Sequence, residues 1–289
     1  MHNSSPERTL HPDAPDYPAR LLELSRPPAP LFARGTLAIA LPPAVAIVGT
    51  RAATPYGVRV TRAIATACAR AGVCVVSGLA RGIDATAHQA ALAAGGRTVA
   101  VLGTATNMYY PRGHRGLQEQ IARDGLLLSE VPLGGVGHKG TFPERNRIIA
   151  ALADITVVVE AGEESGALIT ARHAHALGRT VASVPNAIDV PTAVGSNRLL
   201  KEHAEPILEP ADVLSLLRMK PSAPHGPALD GAAAQCWDAL QHGACEVATI
   251  AAHAGMSSRD VVAVLAALEI DGLITFDAGG RVRPALFVG

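Results

Sequence analysis

Short apolar runs recur along the first two thirds of the chain, each closed by small or polar residues. VAIVG (45–49), VCVVS (73–77), TVAVLG (98–103), LLLSE (126–130), ITVVVE (155–160) and TVASVP (180–185) have the length and β-branched content of strands buried on both faces. Between them apolar positions recur at helical spacing over 58–70, 84–94, 113–123, 143–153 and 167–177. Strands alternating with helices of this length predict an α/β fold with a doubly wound, mostly parallel sheet. Right-handed crossovers then bring the carboxyl ends of the strands to one edge, where ligands bind near the reversal of strand order.

The flanks read differently. Residues 1–44 are proline-rich, with a short helix predicted at 19–24 and an extended stretch after it, packing on the main domain at 45–218. A short helix over 208–217 closes that domain, and 219–230 is a proline- and glycine-rich linker. Residues 231–289 read as helices at 232–241, 247–254 and 258–271, then a hairpin turning at Gly279-Gly280. That order is the pattern of a small winged-helix domain. From Arg218 onward there are five cations and seven acids, a balance that disfavours a phosphate backbone and favours a protein contact.

The chemistry concentrates at 139–175. Pro143 suits a first helical position, which would place Arg145 and Arg147 in the first turn, against the helix dipole. Lys139 and Phe142 stand just before them, so the stretch predicts an anionic ligand with flat parts. Ser165-Gly166 opens the next helix, where backbone N–H groups receive a phosphate. The predicted strands run out into Gly49-Thr50-Arg51, Ser77-Gly78 and Gly103-Thr104, small residues that let a ligand approach the backbone. Arg51 and Arg81 add cations to that edge. Asp84 and His88, one helical turn apart, read as a helix cap and its partner because they carry no nucleophile.

Charge and cysteine narrow the field. Lys plus Arg and Asp plus Glu both total 25, so any polyanion site must be a local patch. Arginine supplies nearly all the cations, since lysine stands only at 139, 201 and 220, and its planar fork suits phosphate and base stacking. Cys68, Cys74, Cys236 and Cys245 lack metal-site spacing, and the histidines lack an HExxH frame, so no metal is expected. Neither a P-loop nor GxGxxG is present, which disfavours ATP hydrolysis and a dinucleotide cofactor. Scattered cysteines with no apolar run of spanning length lead to the expectation of a cytoplasmic protein.

From Tyr17 onward the chain resembles the DNA-processing protein A family (DprA, also called Smf). The resemblance rests on GTRAATPYG, SGLARGIDATAH, SEVP, FPERNRIIAAL, VVVEAGEESGALITARHA and GSNRLLKEHA, in order. It implies a Rossmann-like core that dimerises, binds single-stranded DNA and loads RecA recombinase onto it during natural transformation, without catalysis or a cofactor. It also implies the site residues: Arg51 in the first glycine turn, Lys139 and Phe142 before the Arg145-Asn146-Arg147 motif, and Ser77-Gly78 with Ser165-Gly166 as phosphate-approach turns. Asn186 and His203 depart from the family pattern, where glycines are usual. A nucleotide-binding or nucleoside-monophosphate-cleaving enzyme is the alternative, with Glu160 and Glu163 as its acid pair.

Overall fold

The structure is a computed structural model that describes residues 7–40, 42–138, 140–219, 229–271, 273–277 and 279–284. The chain divides into two compact units, Met1–Pro221 and Ser222–Gly289. Most of the linker expected at 219–230 lies outside the described residues.

The first unit is built on one sheet. Its strands are β1 (Arg8–Leu10), β2 (Leu31–Gly35), β3 (Ala44–Val48), β4 (Cys74–Ser77), β5 (Thr98–Leu102), β6 (Leu126–Ser129), β7 (Ile155–Val158), β8 (Thr180–Ser183) and β9 (Glu205–Pro206). Their order is β1-β2-β6-β5-β4-β3-β7-β8-β9. From β6 to β9 every pairing is parallel, while β1 and β2 add antiparallel strands at one edge. The order reverses between β3 and β7, which puts the expected crevice at the ends of those two strands.

The crossovers are α1 (Pro55–Arg70), α2 (Ile83–Ala93), α3 (Arg115–Asp124), α4 (Thr141–Leu152) and α5 (Gly166–Ala176), followed by α6 (Val194–Lys201) and α7 (Pro210–Leu216). Alternate residues of each strand face opposite ways. Ala46, Val76, Val101 and Leu128 meet Ile148, Ile149 and Ala171 of α4 and α5, whereas Ala100, Leu102 and Leu127 meet Ile121 and Ala122 of α3. Both faces are therefore covered, which is why the strands read as unbroken apolar runs.

Local chemistry starts the helices. Thr54 caps α1, its hydroxyl accepting from the Gly57 N–H at 3.1 Å, with Pro55 in the first turn. Ser165 caps α5 through the Ala167 N–H at 3.3 Å. The stretch expected as a lead-in contributes β1 and β2, and Arg34 of β2 holds α3 by a two-pronged pair with Glu119 at 2.7 and 3.0 Å.

The second unit contains α8 (Gly231–Gln241), α9 (Val247–Ala254), α10 (Ser258–Ile270), and a hairpin of β10 (Ile274–Phe276) with β11 (Val282–Pro284). Its core joins Trp237, Leu240, Ile250, Val261, Leu265 and Leu268 to Ile274 and Val282 of the hairpin. Asp277 makes the turn, its carboxylate accepting from the Gly279 and Arg281 N–H groups at 2.9 Å each.

Candidate nucleic-acid interface

The site is framed where α4 meets the ends of β4 and β5. α4 starts at Thr141, two residues before the proline expected to open it, because the Thr141 hydroxyl reaches the Gly103 carbonyl at 2.7 Å and fixes the helix start there. Arg145 therefore sits in the second turn, not the first, and the dipole argument for an anion beside it fails. Its guanidinium is turned inward instead. Nη1 donates to the Gly78 carbonyl at 2.7 Å and to the Val101 carbonyl, and Nε donates to Asn146 Oδ1 at 2.9 Å. Only 8% of Arg145 is exposed. Burial pulls its pKa down to about 10, with Asp84 opposing the fall.

Asp84 is the matching buried anion. It accepts from the N–H groups of Gly78 at 3.2 Å and Ala80 at 3.4 Å, so it ties down the turn between β4 and α2. Burial raises its pKa, while Arg145 and backbone N–H groups work against that rise. Leu79 in that turn holds a left-handed φ of 56°, and His114 braces it by a 3.0 Å bond to the Leu79 carbonyl. His88 does not pair with Asp84 as expected. It lies 2.7 Å from the Thr98 hydroxyl, whose own proton goes to the Val75 carbonyl at 2.8 Å. Nδ1 is then the donor, Nε2 has no partner, and burial holds the ring neutral with a pKa of about 3.

The strand-end glycines are shaped by this frame. A Cβ on Gly78 would collide with the Arg145 guanidinium, and one on Gly103 would lie 2.6 Å from the Phe142 ring. Both glycines admit a side chain of the protein itself. Ser77 is likewise drawn in, fully buried with its hydroxyl donating to the Ile47 carbonyl at 2.6 Å, so it braces strands and does not face a ligand.

Above this frame lies an open cleft. One hollow, of about 420 Å³, is lined by Arg51, Arg81, Tyr110, Arg112 and Phe142. A second, of about 770 Å³, shares Arg51, Tyr110 and Phe142 and extends over Asn146 to Ser165 and Gly166 at the start of α5. Tyr110 is 51% exposed and its ring centroid lies 5.0 Å from that of Phe142, tilted by 45°. Arg51, Arg81 and Arg112 are exposed, and no ion pair involves them among the described residues. Gly166 faces open space. The cleft thus combines three solvated cations, two aromatic rings and the start of α5, where Gly166 is open while Ser165 caps the next N–H groups.

Of the residues expected from sequence, Arg51, Gly78, Phe142, Asn146, Ser165 and Gly166 line this cleft, and Arg145 forms its floor. Arg147 is not brought to it. It pairs with Glu130 at 2.5 Å and lines a neighbouring hollow with Arg26 and Glu144. Lys139 lies outside the described residues. Tyr110 and Arg112 were missed, although an aromatic pair followed by Pro-Arg in a loop after β5 is a visible signal.

Glu160 and Glu163 do not act together. Glu160, fully buried, accepts from the Thr54 N–H at 3.0 Å, the Thr54 hydroxyl at 2.5 Å and the Asn186 amide at 3.1 Å. Glu163 is exposed and pairs with Arg198 at 2.6 Å. Asn186, a departure from the family pattern, therefore closes its loop onto the segment that follows β7. His203, the other departure, occupies a left-handed φ of 71° that suits glycine.

Comparison with known proteins agrees with the architecture. The chain is 45% identical over 229 residues to Protein Smf of Synechocystis sp., covering 78% of this chain and 58% of that protein. It is 38% identical over 288 residues to the putative DNA processing protein DprA of Mycobacterium tuberculosis, 92% of this chain and 74% of that one. The solved DNA processing protein A of Streptococcus pneumoniae superposes with a TM-score of 0.69 at 38% identity, over 73% of this chain and 74% of that chain. The Helicobacter pylori protein, solved in a study of its single-stranded DNA binding mode, gives 0.66 at 30% identity, over 74% and 96%. The chain spans little more than half of the Synechocystis relative and about three quarters of the mycobacterial one. The DprA winged helix domain matches residues 220–280, where α8 to α10 and the hairpin lie. With the Rossmann-like sheet matched over residues 8–218, the chain belongs to the family described as DNA recombination-mediator protein A.

Proposed function

We propose that the cleft binds single-stranded DNA, and that the chain acts as a non-catalytic mediator. In that role it protects incoming strands and loads a RecA recombinase during natural transformation, working as a cytoplasmic homodimer. One observation carries the DNA reading: Tyr110 and Phe142 present two adjoining ring faces, tilted by 45°, among exposed Arg51, Arg81 and Arg112. Bases stack on such rings whatever their identity, and the cations track the phosphates, so affinity comes with little sequence preference. The Helicobacter pylori relative's single-stranded DNA binding mode supports the same ligand here.

The recombinase step rests on family membership. The second unit fits a protein contact: α10 exposes Val262 and Ile270 and carries one arginine against three acids through Asp271. The location in the cytoplasm rests on the same membership, and no described helix is long and apolar enough to cross a membrane. Against the enzyme alternative, Glu160 is consumed by Thr54 and Asn186 and Glu163 by Arg198, so the two acids expected as a pair are not brought together. Turnover of a nucleoside monophosphate that disappears in Glu160→Gln would restore it.

The deciding experiment is fluorescence anisotropy with an oligo-dT strand and a matched duplex. The strand is expected to bind more tightly, and equal or tighter duplex binding refutes the assignment. Recombinase loading is checked by filament assembly on strands already covered by single-strand-binding protein; no acceleration by this chain would refute that step.

A further inference from the structure

Away from the cleft, in the second unit, three ligand-type side chains converge. Asp238 stands in the last turn of α8, His242 caps that helix four residues on, and His253 reaches them from α9. One donor atom from each lies within 4.8 Å of the others. His253 Nε2 is 3.0 Å from Asp238 Oδ2, and His242 Nδ1 is 3.6 Å from the same oxygen. The two imidazoles stack with centroids 5.3 Å apart and planes 26° from parallel. His242 Nδ1 also lies 2.9 Å from the Asp238 carbonyl, which holds that ring against its own helix.

We propose that Asp238, His242 and His253 form a binding site for a divalent transition-metal ion of the zinc class, joining α8 to α9. An ordinary ion pair needs one histidine per carboxylate. Here a second imidazole lies beside the same carboxylate, its Nδ1 donating to the Asp238 main-chain carbonyl at 2.9 Å and standing 3.6 Å from Oδ2. One shared cation would take a donor atom from each of the three side chains. The spacing fits as well: donors bound to tetrahedral zinc at roughly 2.05 Å lie about 3.3 Å apart. The 3.0 Å between His253 Nε2 and Asp238 Oδ2 fits that separation, and His242 joins once its Nδ1 proton, now given to the Asp238 carbonyl, moves to Nε2.

Donor chemistry selects the ion. Two imidazoles and one carboxylate suit zinc, cobalt or nickel, whereas calcium and magnesium require more oxygen donors than this site has. All three side chains are exposed, so water completes the coordination shell. The site would also offset charge, because residues 222–289 carry three arginines against seven acids and no lysine. Since α8 and α9 both supply core residues, a bridge between them stabilises the folded unit by mass action.

The test uses the untagged full chain, titrated calorimetrically with zinc chloride, and cobalt chloride as a spectroscopic probe. Trp237, the single tryptophan of the chain, neighbours Asp238 and reports on this unit. Expected are one zinc per chain, a tetrahedral cobalt absorption band, and weakening by about tenfold or more in His253→Gln and Asp238→Asn. His173→Gln, remote from these residues in sequence and placed on α5, is expected to bind like the parent. Zinc should raise the midpoint of thermal unfolding followed by Trp237 in the parent and not in the two site variants. No zinc binding by the folded parent, or unchanged affinity in folded His253→Gln and Asp238→Asn, overturns the proposal. If either variant unfolds, His242→Gln replaces it and the same criterion applies.

Discussion

Salt dependence separates the arginines that face the cleft from those used inside the protein. Each phosphate neutralised on a single strand contributes about 0.7 to the slope of log affinity against log salt. Arg51, Arg81 and Arg112 are exposed and free of described ion pairs, so each is expected to contribute one such contact. Replacing any one by Ala should lower the slope by about 0.7, and all three together by about 2. Between 50 and 200 mM salt, one lost contact reduces the salt-induced weakening about 2.6-fold. Arg147→Ala should leave the slope unchanged, because Glu130 already neutralises that guanidinium at 2.5 Å and it lines another hollow. Its effect should appear in stability, since Glu130 would lose its partner. The assay is oligo-dT anisotropy at five or so salt concentrations, with folding checked by circular dichroism. If Arg147→Ala lowers the slope while Arg51→Ala, Arg81→Ala and Arg112→Ala do not, the strand runs over the Glu130 side and the cleft has been misassigned.

Two further predictions concern the frame beneath the cleft. Gly78→Ala places a methyl in the Arg145 guanidinium and should destabilise the first unit by about 3 kcal/mol, from overpacking and lost charged hydrogen bonds; a urea midpoint like the parent's would refute it. His88 binds its proton in the unfolded state near pH 6.5 but in the folded state only near pH 3, so its contribution leaves stability flat above 6.5 and lowers it as pH falls between those values. The loss is about 1.4 kcal/mol per pH unit within that window, and urea titrations of parent and His88→Gln at pH 7, 6 and 5 should differ in slope by nearly one proton. Parallel curves would mean that the ring is not held neutral.

The main sheet was legible because β3 to β7 are buried on both faces and so carry continuous apolar runs. The antiparallel edge was not, since β1 has three residues and β2 follows a run of prolines, leaving too few positions for a period to register. α6 escaped for a related reason: its pattern, VGSNRLLK, is mostly polar and begins with small residues. Gly195 is small because its Cβ would meet the carbonyls of Gly162 and Ala161, a contact formed across the fold. Arg112 apart, the cations were found as residues but not by role. Nothing local to Arg147 indicates that Glu130, 17 positions earlier, faces it, and nothing local to Arg145 shows two carbonyls awaiting its guanidinium.

That difference in role also explains why small residues crowd the carboxyl ends of the strands. A ligand approaching the backbone is one reason for glycine there, but Gly49, Gly78 and Gly103 are already met by Ile83, Arg145 and Phe142. The glycines let α2 and α4 close onto the strand ends, and the closure sets the height at which Phe142 meets Tyr110. A cation as costly to bury as Arg145 is retained because Asp84 and two carbonyls use its charge to lock the turn that carries Arg81. The buried arginine, at the floor of the cleft, thus acts on a ligand mainly through the loop that it holds. Cleft affinity should therefore depend on Arg145 through geometry, and on Arg51, Arg81 and Arg112 through charge.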